Sequence, residues 1–303
     1  MTAPASRIRE DLFDAGFLRR TEHLALIARR MVTSGQRAQR RSKKIGGGIE
    51  FADHRDYTPG DDPKHLDWKV YGRTERLLLR QYEEEEDLSV YFMVDASRSM
   101  GMAPPGEITL FDRALQIAAA LAYISLSNLD RVAVVPFTDK IIRPERSLRG
   151  KGQFFRILRQ LSTLEVSGNT AISGAMRDFA RARLRRGLVV LISDFYDPSG
   201  LGDGLRMLAY RGFETLVVQL SDQRILDGGH FGDLQLVDCE SGDVRDICLT
   251  PDLLSAYQRA FEAFTLEISN AATQMGARHL QVDVGVPFDD VVMKVFRSGG
   301  FLG

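Results

Sequence analysis

Apolar residues in this chain gather in short continuous runs rather than in strict alternation. The first run, Leu88-Ser89-Val90-Tyr91-Phe92-Met93-Val94, ends at Asp95. Val132 to Phe137, Gly187 to Ser193, Glu214 to Leu220 and His279 to Val284 follow. Runs of this length that are apolar throughout suit strands buried on both faces of a parallel sheet. Between them apolar residues recur at helical spacing. Phe111 to Leu129 carries Ala114, Leu115, Ala118, Leu121, Ala122 and Leu126, and Pro251 to Met275 carries Leu254, Tyr257, Phe261, Phe264, Leu266 and Ile268. Phe154 to Leu161, Ile172 to Leu184 and Leu205 to Tyr210 are shorter helical segments. The alternation predicts an α/β fold, a doubly wound and mostly parallel sheet with helices on both faces. The segment from Leu234 to Leu249 breaks the alternation and reads as an inserted antiparallel β-hairpin.

The pattern changes before residue 88. Ala15 to Met31 reads as a helix with Phe17, Leu18, Leu24, Ile27 and Met31 near one face. Arg29 to Lys44 holds seven basic residues and no acidic one, and Gly46-Gly47-Gly48 follows. Glu50 to Arg73 is rich in turn formers and aromatics, and Glu83-Glu84-Glu85-Glu86-Asp87 leads into the first apolar run. The expected organisation is an N-terminal part over residues 1–80 (helix, basic arm and turn-rich segment) and an α/β domain over 81–303. Trp68 and Tyr71 read as packing anchors that seat the turn-rich segment on that domain. The cluster Asp53, His54, Asp56, Asp61, Asp62, His65 and Asp67 fits no zinc or calcium spacing and reads as a salt-bridged Pro-Gly turn. The glycine run lacks the lysine and hydroxyl of a phosphate loop and reads as a joint. The basic stretch is either solvated or paired with an acidic surface, and Glu83–Asp87 of the same chain is a candidate. No nucleic-acid-binding motif accompanies it.

Composition narrows the function classes. The 303 residues carry a net charge of −1, so no global field points to nucleic acid or membrane. No apolar run approaches the roughly 20 residues that span a bilayer, and the first residues hold no apolar signal core. A cytoplasmic protein is expected. The two cysteines, Cys239 and Cys248, have no CxxC spacing. If Glu240 to Asp243 closes a tight turn, Cys239 faces Val244 and Cys248 faces Gln235, so the thiols stay reduced.

The candidate chemistry lies where the strands end. Asp95-Ala96-Ser97-Arg98-Ser99 places a carboxylate and two hydroxyls on the loop after the first run. Open α/β sheets bind ligands at that end. Ser167-Gly168-Asn169-Thr170-Ala171 offers a threonine before the helix from Ile172, and Ile192-Ser193-Asp194-Phe195 offers a carboxylate at a strand end. Each piece alone also reads as a turn or N-cap. Together Asp95, Ser97, Ser99, Thr170 and Asp194 make an all-oxygen set suited to a hard cation. Arg98 points from this loop toward solvent or a partner.

The order Asp95-x-Ser97-x-Ser99, Gly168-Asn169-Thr170, Asp194 resembles the von Willebrand factor A fold. The resemblance implies a metal-ion-dependent adhesion site holding Mg2+ (or Mn2+ or Ca2+). Ser97 and Ser99 would bind the ion directly, Thr170 directly or through water, and Asp95 and Asp194 largely through waters. One position stays open for an Asp or Glu of a partner protein. The segment from Glu50 to Lys69, with Arg80-Gln81-Tyr82-Glu83, Asp95 to Met100 and Asp238 to Gly242, resembles domain-of-unknown-function family 58 over roughly residues 40–290. That resemblance implies an adaptor of a MoxR-type AAA+ ATPase, and the chain looks like the family's short soluble form. The expectation is a non-catalytic, metal-dependent protein-binding module. Two other readings stand beside it: a metal-dependent hydrolase on the same rim, and a nucleic-acid-associated protein using the basic arm. A dehalogenase-like phosphatase needs a second acid two residues after Asp95, where this chain has Ser97. No GxSxG elbow or placed acid–base pair is present either.

Overall fold

A computed structural model describes residues 12–35, 41–45, 50–85, 88–103, 107–142, 146–197, 200–222, 232–239 and 242–298. The described residues up to Arg29 and from Leu88 onward form one compact unit, and those of Arg30–Asp87 form a second.

The first unit is built on a six-stranded sheet. Its strands are β4 (Ser89–Asp95), β5 (Arg131–Phe137), β6 (Leu148–Arg149), β7 (Leu188–Ser193), β8 (Glu214–Ser221) and β11 (Arg278–Asp283), in the order β11-β8-β7-β4-β5-β6. All neighbours are parallel except the short edge strand β6. All seven residues of β4 and all six of β7 are buried, as strands covered on both faces require. The five expected strands are therefore all present, and the α/β expectation holds.

Helices cover both faces. One face packs Tyr91, Met93, Val135, Val189, Leu191 and Val217 under α5 (Ile172–Arg181), α6 (Gly202–Tyr210) and the C-terminal part of α7 (Pro251–Gln274). The opposite face carries α3 (Leu110–Ser127), flanked by α4 (Phe154–Ser162) and α8 (Phe288–Ser298). Thr109 caps α3 by accepting from Asp112 N at 2.9 Å. By length and composition α3 could cross a membrane, yet 94% of it is buried inside the protein. It is a core helix, short-sided with alanines so that it lies close to the sheet. Helix α8 was not foreseen, although it buries Phe288, Val291, Val292, Val295 and Phe296 on one face. The β9–β10 hairpin (Gly232–Val237 and Val244–Leu249) forms as expected, in a register two residues from the predicted one. Val237 faces Val244 and Cys248 faces Asp233, because Cys239 lies in a turn wider than four residues. The two cysteines form no disulfide.

Helix α1 (Ala15–Gly35) corrects the expected domain boundary. Phe17, Thr21, Leu24, Ala25 and Ala28 form a buried stripe at 3–4-residue spacing. Phe17 meets the Phe288 ring at 5.3 Å, and Glu22 accepts from Tyr123 Oη at 3.2 Å. The N-terminal part of the helix thus belongs to the α/β unit, and residues 1–80 are not one body.

The second unit is a three-stranded antiparallel sheet in the order β1-β3-β2, from β1 (Arg41–Ile45), β2 (Glu50–Asp56) and β3 (Leu78–Glu85), with α2 (Trp68–Thr74) between β2 and β3. Neither the sheet nor its register was visible in the hydrophobic pattern. Register sets Arg41 opposite Glu85 and Lys43 opposite Glu83, so the basic stretch and the acidic run are cross-strand neighbours. The glycine run (within 46–49) and the middle of the basic arm (36–40) lie outside the described residues. The expected salt-bridged turn is present and centres on Asp67. Its Oδ1 caps α2 by accepting from Lys69 N at 3.0 Å and Val70 N at 3.2 Å. Its Oδ2 takes Arg80 Nε at 3.0 Å and His54 Nε2 at 3.1 Å. Arg55 pairs with Asp61 at 2.7 Å. Trp68 and Tyr71, expected as packing anchors, lie edge to face against each other on α2 within this unit. Among the described residues of this unit, Leu66 and Leu79 are the buried apolar ones.

Candidate metal centre

The chain runs from β4 outward to β5 and β6, then returns on the other side of β4 as β7. The switch point therefore opens between the carboxyl ends of β4 and β7. Asp95 is the last residue of β4, and Asp194 directly follows β7. Thr170 lies on the crossover before α5.

Backbone hydrogen bonds stitch together the loops that follow β4 and β5 and the loop that carries Thr170. Ala96 N donates to Phe137 O at 2.8 Å, Ser167 N to Ala96 O at 2.7 Å, Arg98 N to Gly168 O at 3.2 Å and Ala171 N to Thr138 O at 3.2 Å. Gly168 takes φ +67°, a left-handed turn that suits a residue without Cβ. The side chains converge in the same way. Asp95 Oδ1 accepts from Ser97 N at 2.9 Å, and the Ser97 and Ser99 hydroxyls lie 3.1 Å apart. Asp194 Oδ1 accepts from Tyr196 N at 3.1 Å. Asp95, Ser97 and Asp194 are almost wholly buried and Ser99 nearly so. The structure thus brings all five expected residues to one rim.

The turn reading of Asp95 is correct as far as it goes, since its bond to Ser97 N is an Asx turn. It leaves other atoms unexplained. Thr170 Oγ1 and Asp194 Oδ2 are buried and have no hydrogen-bond partner. No Lys or Arg pairs with either carboxylate among the described residues. Burial pushes Asp95 up to about 7, and the charge of Asp194 adds to the push, against the hydroxyls of Ser193 and Ser97. Asp194 is raised by burial as well, and the Ser99 hydroxyl and the Tyr196 amide only partly offset this. Two buried carboxylates without a counter-charge are costly unless protonated or paired with a cation. Hydroxyl and carboxylate oxygens of this kind fit a hard divalent ion. No group of three or more His, Cys, Asp or Glu side chains that could hold a metal ion occurs among the described residues.

Three supporting residues escaped the sequence reading. Ser193 Oγ donates to Asp95 Oδ2 at 2.6 Å and accepts from Phe195 N at 2.9 Å. The parallel register, with Val94 beside Ile192, sets Asp95 next to Ser193. That pairing depends on β7 lying beside β4, which sequence order does not reveal. Phe195 follows Asp194 at φ +64°, unusual for a bulky side chain and held there by burial in the core. Asp197 Oδ2 accepts from Ile172 N at 2.6 Å, tying the Asp194 loop to the helix that follows Thr170. Tyr196, about half exposed, stacks on Phe264 at 5.4 Å.

Fold and site define an α/β protein with an oxygen-lined rim at its topological switch point. Within that class the chain belongs to the family described as Protein of unknown function DUF58, whose model matches residues 53–265. An uncharacterized protein of Mycobacterium tuberculosis is 27% identical over 279 residues, 90% of this chain and 87% of the relative. Among solved structures, the conserved hypothetical protein BatB from Bacteroides thetaiotaomicron shares 12% identity and a TM-score of 0.46, covering 71% of this chain and 98% of that one. An aerotolerance-related membrane protein from Bacteroides fragilis shares 15% identity with the same TM-score, covering 70% of this chain and 98% of that one.

Proposed function

We propose that this chain is a non-catalytic module that binds another protein through a divalent cation at the β4–β7 rim. The carrying observation is the pair of orphaned buried oxygens, Thr170 Oγ1 and Asp194 Oδ2, beside two carboxylates that lack a counter-charge. Ser97, Ser99 and Thr170 would hold the ion through hydroxyls, with Asp95 and Asp194 behind them. Magnesium is the first choice, with manganese or calcium in its place. When bound, such an ion supplies an electrophilic position for an Asp or Glu of the partner. Ser193 orients Asp95, and Asp197 keeps the Thr170 loop against the Asp194 loop. From the family resemblance the partner is a MoxR-type AAA+ ATPase or its substrate, and the meeting place is the cytoplasm. The hydrolase reading lacks a second acid at Ser97. The nucleic-acid reading is weakened by the acidic strand beside the basic one.

Calorimetric titration of the metal-stripped protein with MgCl2 tests the site, and co-purification with the ATPase, with and without EDTA, tests its use. Binding of Mg2+ lost in Asp95→Ala, together with EDTA-sensitive capture of the ATPase, is the expected result. Heat-silent titration with every one of the three cations would falsify the metal site. Magnesium-dependent phosphatase activity abolished by Asp95→Ala would replace the binding module with an enzyme.

A further inference from the structure

A cleft of about 590 Å³ lies on the β5 side of the rim, lined among others by Val134, Pro136, Arg156, Arg159, Glu165 and Ser167. It shares backbone with the metal centre. Ser167 N donates to Ala96 O at 2.7 Å, and Pro136 precedes Phe137, whose carbonyl takes Ala96 N. Helix α4 buries Phe154, Ile157, Leu158 and Leu161 against the core and so turns Arg156 and Arg159, three residues apart, to the cleft. Neither guanidinium has an ion-pair partner among the described residues. Among the described residues that line the cleft, Glu165 is the one acid, against two arginines. An Arg pair on a concave wall is a fork for carboxylates, and no described residue neutralises it.

We infer that the partner presents an acidic segment, with one carboxylate on the cation and a neighbouring carboxylate in the Arg156/Arg159 cleft. This rests on the proposed metal-dependent function and adds the partner's chemistry to it. A cation that accepts one acid would bind any exposed Asp or Glu. A second, fixed pair of positive charges a short step away makes the site select for clustered acids. A protein segment is favoured over nucleic acid because Glu165 within the cleft opposes a continuous phosphate backbone, while a side-chain carboxylate can be placed to one side of it.

The test uses the full chain and a fluorescein-labelled hexaglutamate peptide, read by anisotropy with Mg2+ and again with EDTA. Wild type binds with Mg2+, and the double variant Arg156→Gln/Arg159→Gln binds about tenfold more weakly. Arg156→Lys/Arg159→Lys recovers part of the loss, as charge without the planar fork should. A control pair at the opposite end of the strands, Arg183→Gln/Arg185→Gln, leaves binding unchanged. If the Arg156/Arg159 variant binds as tightly as wild type while EDTA still releases the peptide, the cleft assignment is wrong and the metal reading stands. If the variant loses binding but EDTA and Asp95→Ala change nothing, the metal reading is wrong and with it the two-point grip. A single-stranded oligonucleotide that binds more tightly than the peptide, and is lost in the same variant, overturns the protein partner.

Discussion

At the residue scale the decisive group is Asp95. Its carboxyl is raised to about 7 from 3.8, so between those values the folded chain holds a proton that the unfolded chain has released. The native state then binds more protons than the unfolded state, and stability falls as pH rises through that window. In EDTA the protein should melt at a higher temperature at about pH 5 than at about pH 8. Asp95→Asn should flatten that difference and raise the melting temperature at the higher pH, as thermal scans of both proteins will show. Mg2+ should do the same for wild type by replacing the proton, adding about 2.7 kcal/mol at a hundredfold excess over Kd, and should do little for Asp95→Asn. Asp67 runs in the opposite sense. Arg80 and His54 hold its carboxyl well below the usual range, so its contribution is present above about pH 4 and lost as pH falls further. Asp67→Ala should speed hydrogen exchange at the Lys69 and Val70 amides, which lose their cap.

At the element scale the site depends on two parallel strands ending level with each other. Gly187 stands just before β7, where an added Cβ would overlap the carbonyl of Ser89 at the start of β4. Gly187→Ala should therefore cost about 3 kcal/mol, the upper end of overpacking, in urea unfolding. It should also weaken Mg2+ binding, because β4 and β7 carry Asp95 and Asp194. The elements themselves were largely legible. Continuous apolar runs are what doubly covered strands require, and all five appeared as strands. Strands β1 and β3 were not legible, because basic residues of one stand opposite acidic residues of the other in the register, and cross-strand partners are invisible in one dimension. Helix α8 was missed although its buried positions have helical spacing.

At the scale of the whole molecule the first helix decides how the chain is divided. Phe17 is fully buried against Phe288, near the other end of the sequence. Phe17→Ala should destabilise the α/β unit by about 3–5 kcal/mol, measured by urea unfolding. A chain divided at residue 80 would show no such effect on that unit. The expected boundary followed a change in composition, and composition records solubility of a segment rather than which surface it covers.

The sequence by itself determined the strand–helix alternation and which oxygen-bearing side chains stand where the strands end. Each of these is local: a run length, a spacing, a residue type at a strand end. Tertiary structure alone decided that β7 returns beside β4, which brings Ser193 to Asp95 and leaves Asp194 buried without a counter-charge. It also decided that Arg156 and Arg159 of α4 line one cleft with Ser167. Strand order and burial are properties of the packed whole, set by which apolar faces find each other, and the burial that raises the Asp95 carboxyl arises only there.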